Sequence, residues 1–393
     1  MPIPGQTAIR ADSAKRVVMK RLALVALAML SCAAVSVAQA RPVIDCPLRD
    51  APFSSRSPMI DLLLDPAARA VVERNQPGLL SHVPAMMVST AAPSFAAIVT
   101  LREMLGLIGK SEADITAAEV AIDAGLRPLP VTAADREARC ARYDNDRPRF
   151  DLPAGQPRLL LFEKINGFRD APSVNAAHAA FVDLARRNHW TLVTTDKGGA
   201  FNRATLRQFD AVIWNNISGD VLTLAERAAM KGYIEQGGSF VGVHGSAGDP
   251  VYWWDWYVDT LIGARFAGHP FQKQFQPGRV VIDNPADPIA KGLPPEWTVT
   301  EEWYSFKNNP RATGSHILAT LDENSYEPLF MKRSLRMGDH PIAWSRCIGK
   351  GRMFYSAIGH RPELYTDPVY QQMLTNALGW AVRHDGPACG QPG

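Results

Sequence analysis

Short apolar runs separated by stretches of helical periodicity dominate the chain beyond its first 150 residues. Arg158–Phe162 (RLLLF) is the first such run, Thr191–Thr195 the second, 211–214 the third and 239–244 the fourth. Between the first two, Val174, Ala177, Phe181 and Leu184 fall on one face of a helix. A short helix is expected near Asn202. Thr223 and Glu226 form a capping box for another that runs to Gln236 and stops at Gly237. Strands alternating with helices at these lengths predict a parallel, doubly wound α/β sheet. Further strands are expected over 280–283 and 317–321. Two more, 342–347 and 352–356, flank Gly349-Lys350-Gly351 as a β-hairpin, and a closing helix is expected over 369–382.

Upstream the pattern is helical. Asp65-Pro66 reads as an N-cap with proline at the first helical position. Phe95, Ile98, Leu101, Leu105 and Ile108 recur at helical spacing behind Ser94, and Thr116 with Glu119 suggests a further capping box. Residues 41–152 are therefore read as a small helical unit, 153–386 as the α/β domain and 387–393 as a tail. The charged, proline-bearing stretch 144–157 is the boundary.

At the N-terminus, Lys20 and Arg21 precede an apolar run over 22–30, and Ala38-Gln39-Ala40 fits a small-residue cleavage site. Residues 1–40 are thus expected to be a cleaved signal peptide, with 1–18 an over-extended start, and the product periplasmic or secreted. Cys32 offers a lipoprotein alternative, but Met29-Leu30-Ser31 before it is a poor lipobox. The run is too short to span a bilayer. Four cysteines then remain, Cys46, Cys140, Cys347 and Cys389, an even number that favours disulfides and leaves three pairings open. A formal charge of +3 with no basic, aromatic-interleaved stripe argues against nucleic acid. Composition leaves the oligomeric state undefined.

The candidate chemistry centres on the fourth strand, where SFVGVHGS breaks into a Gly-containing turn. Strand ends of open α/β sheets are where sites are built, and the residue standing at this one is His244. His269, His340 and His360 also fall at predicted strand ends or loops. Carboxylates that could serve them include Asp170, Asp220, Asp249, Glu301, Glu302 and Asp339. A divalent metal stays open on residue type alone, since no HxH or HExxH spacing occurs; no cofactor is otherwise indicated.

Over 158–383 the chain resembles the ThuA-like family, named for trehalose utilisation. The resemblance rests on Gly167-Phe168-Arg169, Ser218-Gly219-Asp220, Gly237-Gly238 with its strand to His244, Gly268-His269-Pro270, Glu302-Trp303-Tyr304, Asp339-His340-Pro341 with Ile342-Ala343-Trp344, and Gly359-His360, in that order. It implies a mostly parallel, flavodoxin-like sheet of the class I glutamine amidotransferase type. Such an amidotransferase needs a cysteine nucleophile at the strand-four elbow, whereas this elbow carries His244. The family often has His where this chain has Asp170, and Asp where it has Glu301. The resemblance also implies carbohydrate as the substrate class. On a keto-glycoside, the carbonyl acidifies the neighbouring C–H enough for an imidazole to remove the proton near neutral pH. His244 is assigned as that base and His360 as acid or enolate stabiliser. Glu302 and Asp220 would position hydroxyls, and Trp253 and Trp303 would stack on the ring. Tyr304, His269, His340 and Arg169 complete the expected sugar contacts. Two other readings compete: a non-catalytic carbohydrate-binding protein using the same cleft, and an interaction protein docking through the 95–108 stripe.

Overall fold

The structure, a computed structural model, describes residues 42–383 apart from Gln156, together with Cys389. The expected signal peptide and the Cys32 alternative lie outside the described residues. The strands in chain order are β1 (Arg158–Phe162), β2 (Thr191–Thr195), β3 (Ala211–Asn215), β4 (Ser239–Val243), β5 (Phe266–Gly268), β6 (Phe275–Ile282), β7 (Glu296–Glu302), β8 (Ser305–Phe306), β9 (His316–Asp322), β10 (Leu329–Phe330), β11 (Arg333–Ser334), β12 (Pro341–Ile348) and β13 (Gly351–Ser356).

Nine of them form one sheet in the order β2-β1-β3-β4-β13-β12-β9-β6-β7. From β2 to β13 every pairing is parallel, and from β13 to β7 every pairing is antiparallel. The parallel half arises because helices Ala171–Arg187, Arg203–Leu206 and Leu224–Glu235 carry the chain back between strands. Its order, 2-1-3-4 followed by β13, is the flavodoxin-like one, and β1, β3 and β4 read as mostly apolar runs because both faces are covered. The direction reverses at β12/β13. There Ile348 pairs with Gly351 and leaves a two-residue turn, which needs the left-handed conformation that Gly349 adopts at φ +59°.

The helical N-terminal region packs a cluster of its own, including Met59, Leu62, Val72, Leu101, Met104 and Ile122. Asp65 caps Pro66–Asn75 by accepting from the Ala68 amide, as its sequence predicts. Two other helical expectations are corrected. The 95–108 stripe is not one helix: it is a single 3-10 turn, Phe95–Ala97, followed by helix Leu101–Leu107, because Thr100 and Glu103 start a capping box of their own. Thr116 lies inside helix Glu112–Leu126, which Ser111 caps by accepting from the Asp114 amide. Ile98, Leu101 and Leu105 are spent on this core, while Phe95 is half-buried and Ile108 exposed. Residues from Pro42 onward form one compact unit. Disulfides join Cys46 to Cys140 and Cys347 to Cys389. No helix among the described residues is long and apolar enough to cross a membrane.

Candidate functional site: an imidazole–carboxylate cluster at the sheet edge

Two adjacent parallel strands end in left-handed residues that are not glycine. Asn216, just after β3, has φ +52°, and His244, just after β4, has φ +37°. Each such backbone costs of the order of 1–3 kcal/mol and persists only where its surroundings hold it. Here they do. The Asn216 side-chain oxygen accepts from the Gly245 amide at 3.1 Å, and the Tyr355 hydroxyl donates to the His244 carbonyl at 2.7 Å. The His244 ring lies 4.1 Å from the Tyr304 ring in a stacked arrangement, and the residue is 3% exposed. Its Nδ1 lies 2.7 Å from the Ala357 carbonyl. A carbonyl only accepts, so Nδ1 carries the hydrogen and Nε2 of the neutral ring offers a lone pair.

His360 arrives on the loop after β13. Gly359 precedes it at φ +140°, and a Cβ there would stand 3.2 Å from the His244 Cβ and 2.6 Å from the Tyr365 hydroxyl. Only glycine lets the loop pass this close. The buried Glu301 carboxylate fixes the loop by accepting from the amides of Gly359 (3.1 Å), His360 (3.2 Å) and Arg361 (3.2 Å). Burial pushes the Glu301 carboxyl up from its ordinary value.

Its neighbour at the end of β7, Glu302, reaches the imidazoles instead. Glu302 Oε2 is 3.0 Å from His360 Nδ1 and 3.2 Å from His244 Nε2, and those two nitrogens are 3.1 Å apart. The other oxygen, Oε1, accepts from the Gln274 amide at 2.5 Å and lies 3.3 Å from His269 Nδ1. Burial alone would raise the Glu302 carboxyl, but the adjoining His244 and His360 imidazoles hold it well below the carboxylate range. Burial likewise opposes charge on His360, and the Glu302 hydrogen bond and charge outweigh it, raising that imidazole. His244, Glu302 and His360 together are a donor set able to hold a metal ion.

This cluster forms the floor of a cleft of about 280 Å³. Met86, Met87, Phe95 and Ile98 of the N-terminal region supply one wall, and Phe168, Phe271 and Phe330 line it further. Asp249 borders it too. Its carboxylate accepts from the Ser218 hydroxyl and the Gly219 amide, both at 2.6 Å, and burial pushes it up to about 7.

The profile of the family described as ThuA, trehalose utilisation, matches residues 158–381, more than half of the chain. The chain belongs to the ThuA family. A ThuA-like protein from Bacteroides uniformis is similar in structure, with 27% identity and a TM-score of 0.52, over 62% of this chain and 99% of that one. A ThuA-like protein from Parabacteroides merdae aligns at 14% identity with a TM-score of 0.43, over 61% and 93%. No protein of curated function matches the chain.

Within the ThuA domain, the structure brings together five residues singled out from sequence: His244, His269, Glu302, Tyr304 and His360 all line the cleft. The remaining five stand elsewhere. His340 is buried at 1% exposure, with Nδ1 2.9 Å from Glu323 Oε1 and Nε2 2.8 Å from the Tyr304 carbonyl, so its polar capacity is used internally. Trp303 points into the core, where its indole donates to the Gln276 carbonyl; at 1% exposure it has no face for a sugar. Trp253 sits against the N-terminal region, its indole near the Arg56 carbonyl, in a separate cavity. Asp220 pairs with Arg227 at 2.8 Å, and Arg169 is exposed without lining the cleft. Sequence reasoning missed Gln274 and the methionine–phenylalanine wall, and it gave Asp170, Glu301 and Asp249 no particular role. Asp170 caps helix Ala171–Arg187 by accepting from the Ser173 amide, and its carboxylate is 3.8 Å from His360 Nε2. A cap signature before that helix was readable as Asp170-Ala171-Pro172; the part of the wall that comes from outside the ThuA match, Met86, Met87, Phe95 and Ile98, had no signal as a cleft wall.

Proposed function

We propose that this ThuA-family chain is an exported, carbohydrate-directed enzyme that acts on sugars of the keto-glycoside class by imidazole acid/base chemistry, without amidotransferase activity. The observation that supports it most is one buried carboxylate, Glu302, shared by three imidazoles on the floor of a cleft. The family description supports carbohydrate as the substrate class. Two disulfides fit an oxidising compartment. Cys46, Cys140, Cys347 and Cys389 are all disulfide-bonded, so none of them offers the thiolate an amidotransferase requires.

In this reading the base is His269 rather than His244. His244 is enclosed, with one nitrogen on Ala357 and the other in the cluster. His269 Nδ1 faces two acceptors, the Pro270 carbonyl at 2.9 Å and Glu302 Oε1 at 3.3 Å. Its Nδ1 therefore holds the hydrogen, and its Nε2 keeps the lone pair a base needs. A sugar carbonyl placed against the cluster acidifies the adjacent C–H. His269 Nε2 takes that proton, the C–H electrons move into the carbonyl as an enolate, and Glu302 stabilises the imidazolium through Nδ1. His360, at the cleft, is the donor placed to meet the enolate oxygen. The apolar wall, including Phe95 and Phe168 with ring centroids 6.5 Å apart, supplies faces for the C–H side of a sugar ring.

The test is turnover of a panel of keto-glycosides, followed by product mass spectrometry. His269→Ala should lower kcat by roughly 10²-fold or more with the circular dichroism spectrum unchanged. Undiminished turnover in that variant removes His269 as base. Calorimetric binding of the sugars without turnover by the unaltered protein overturns the enzyme reading in favour of a binding protein.

A further inference from the structure

We infer that His244 Nε2, His360 Nδ1 and Glu302 Oε2 form a binding site for one divalent first-row transition-metal ion. The three atoms make a nearly equilateral triangle with edges of 3.1, 3.2 and 3.0 Å. An ion about 2.1 Å from each atom would sit just above that triangle with ligand–metal–ligand angles of roughly 95°, the face of an octahedron with its other positions open. A tetrahedral site would need wider edges.

Proton bookkeeping points the same way. If one ring carries a single shared hydrogen between the other two atoms, the remaining edge sets lone pair against lone pair. If both imidazoles donate to Glu302, two N–H groups face each other across 3.1 Å. With Glu302 ionised, no arrangement of the ring hydrogens satisfies all three edges of this buried triangle, and a cation satisfies them together.

The atoms not in the triangle are placed as supporting contacts of metal ligands usually are. His244 Nδ1 is anchored on the Ala357 carbonyl, which turns Nε2 inward as a lone pair. His360 Nε2 faces Asp170, and Glu302 Oε1 accepts from Gln274. His269 touches only Oε1 of the carboxylate, which leaves its Nε2 available as the proposed base. A bound cation would take over, from the shared hydrogens, the task of meeting an enolate oxygen. In that respect the inference builds on the proposed function, while its test does not depend on substrate.

The experiment uses the untagged protein, dialysed against a chelator and titrated calorimetrically with Zn²⁺ and with Mn²⁺, alongside elemental analysis of the protein as purified. One equivalent per chain is expected, with a rise in the thermal midpoint on binding. Glu302→Gln and His360→Gln should each weaken binding by about 10–100-fold or more, the scale on which even supporting contacts count, whereas His316→Gln, at an exposed position, should leave it unchanged. Cobalt(II) added to the dialysed protein gives a second readout independent of variant folding: a weak, six-coordinate-type visible spectrum is expected. Absence of binding at millimolar metal, or binding that survives both cluster substitutions, overturns the site. Loss of sugar turnover with metal binding intact would instead count against the proposed function alone.

Discussion

Two histidine–glutamate pairs built on buried carboxylates lie in the same domain and have opposite characters. His340 and Glu323 meet at 2.9 Å, and His360 and Glu302 at 3.0 Å. Around the first, every polar atom has its own partner. His340 Nε2 meets the Tyr304 carbonyl, and Glu323 accepts from the amides of Met337 (2.5 Å) and Gly338 (3.1 Å) as well. Around the second, three imidazoles compete for one carboxylate, two strained residues hold the strand ends, and a cleft opens above. Distance and burial do not separate the two pairs. What does is whether the hydrogen-bonding capacity closes on itself, as in a structural pair, or converges from three imidazoles on one carboxylate.

The sharpest way to break this contrast is to remove one carboxylate charge at a time. Glu302→Gln should lower keto-glycoside turnover by about 10²–10⁴-fold and also cost some stability, since the fold favours the ionised carboxylate there. Urea unfolding and steady-state kinetics on one preparation check both halves. A variant that unfolds while the residual folded fraction keeps full turnover would make Glu302 a structural residue like Glu323. The second expected effect belongs to the closed pair. His340→Ala strands Glu323 in a buried setting and should cost about 3–5 kcal/mol, with metal affinity and kcat per folded molecule unaltered. A cost below about 1 kcal/mol, the scale of surface pairs, would show that burial and pairing there do not support the fold.

Much of this frame could be read from the sequence, for identifiable reasons. The central parallel strands carry their own local signals, because burial on both faces leaves mostly apolar runs, and the observed β1, with the half-exposed β2 beside it, coincides with the expected span. The caps at Asp65 and Thr223 were legible since a cap is a contact over three residues. Thr116 misled because Ser111, five residues earlier, offers an equally good cap and nothing local chooses between them. His244 and His360 stood out as histidines beside glycine at strand ends. Glu302-Trp303-Tyr304 shows where such reading stops. Aromatic residues next to a carboxylate suggested a sugar platform, but the fold sends Tyr304 under His244 and Trp303 into the core. His340, expected as a sugar contact, instead has its hydrogen bonds closed by Glu323, seventeen positions upstream. The wall from Met86 to Ile98 depends on how one region docks on another, and no short-range pattern records that.

Asp249 offers the finest test of the comparison, because it borders the cleft while being satisfied like the closed pair. Its two oxygens accept from Ser218 and Gly219, yet burial outweighs these bonds and raises it to about 7. A carboxyl raised in the folded state binds a proton there that the unfolded chain releases near pH 4. Stability contributed by this proton is therefore fully present below about pH 4, declines as pH rises toward about 7, and does not change further above that. The expected slope sums to the order of 1–3 kcal/mol, opposite in sign to that of Glu323, whose pairing with His340 holds its carboxyl low despite burial and is lost as pH falls. Asp249→Asn should flatten the decline between pH 5 and 7 in urea midpoints while leaving the acid-side loss from Glu323 in place. Should the decline persist unchanged in Asp249→Asn, the proton is held elsewhere, and the next candidate is Glu226, which burial also raises to about 7. That outcome would return Asp249 to the class of ordinary ionised carboxylates and leave the Glu302 cluster as the cleft's own source of protonation chemistry.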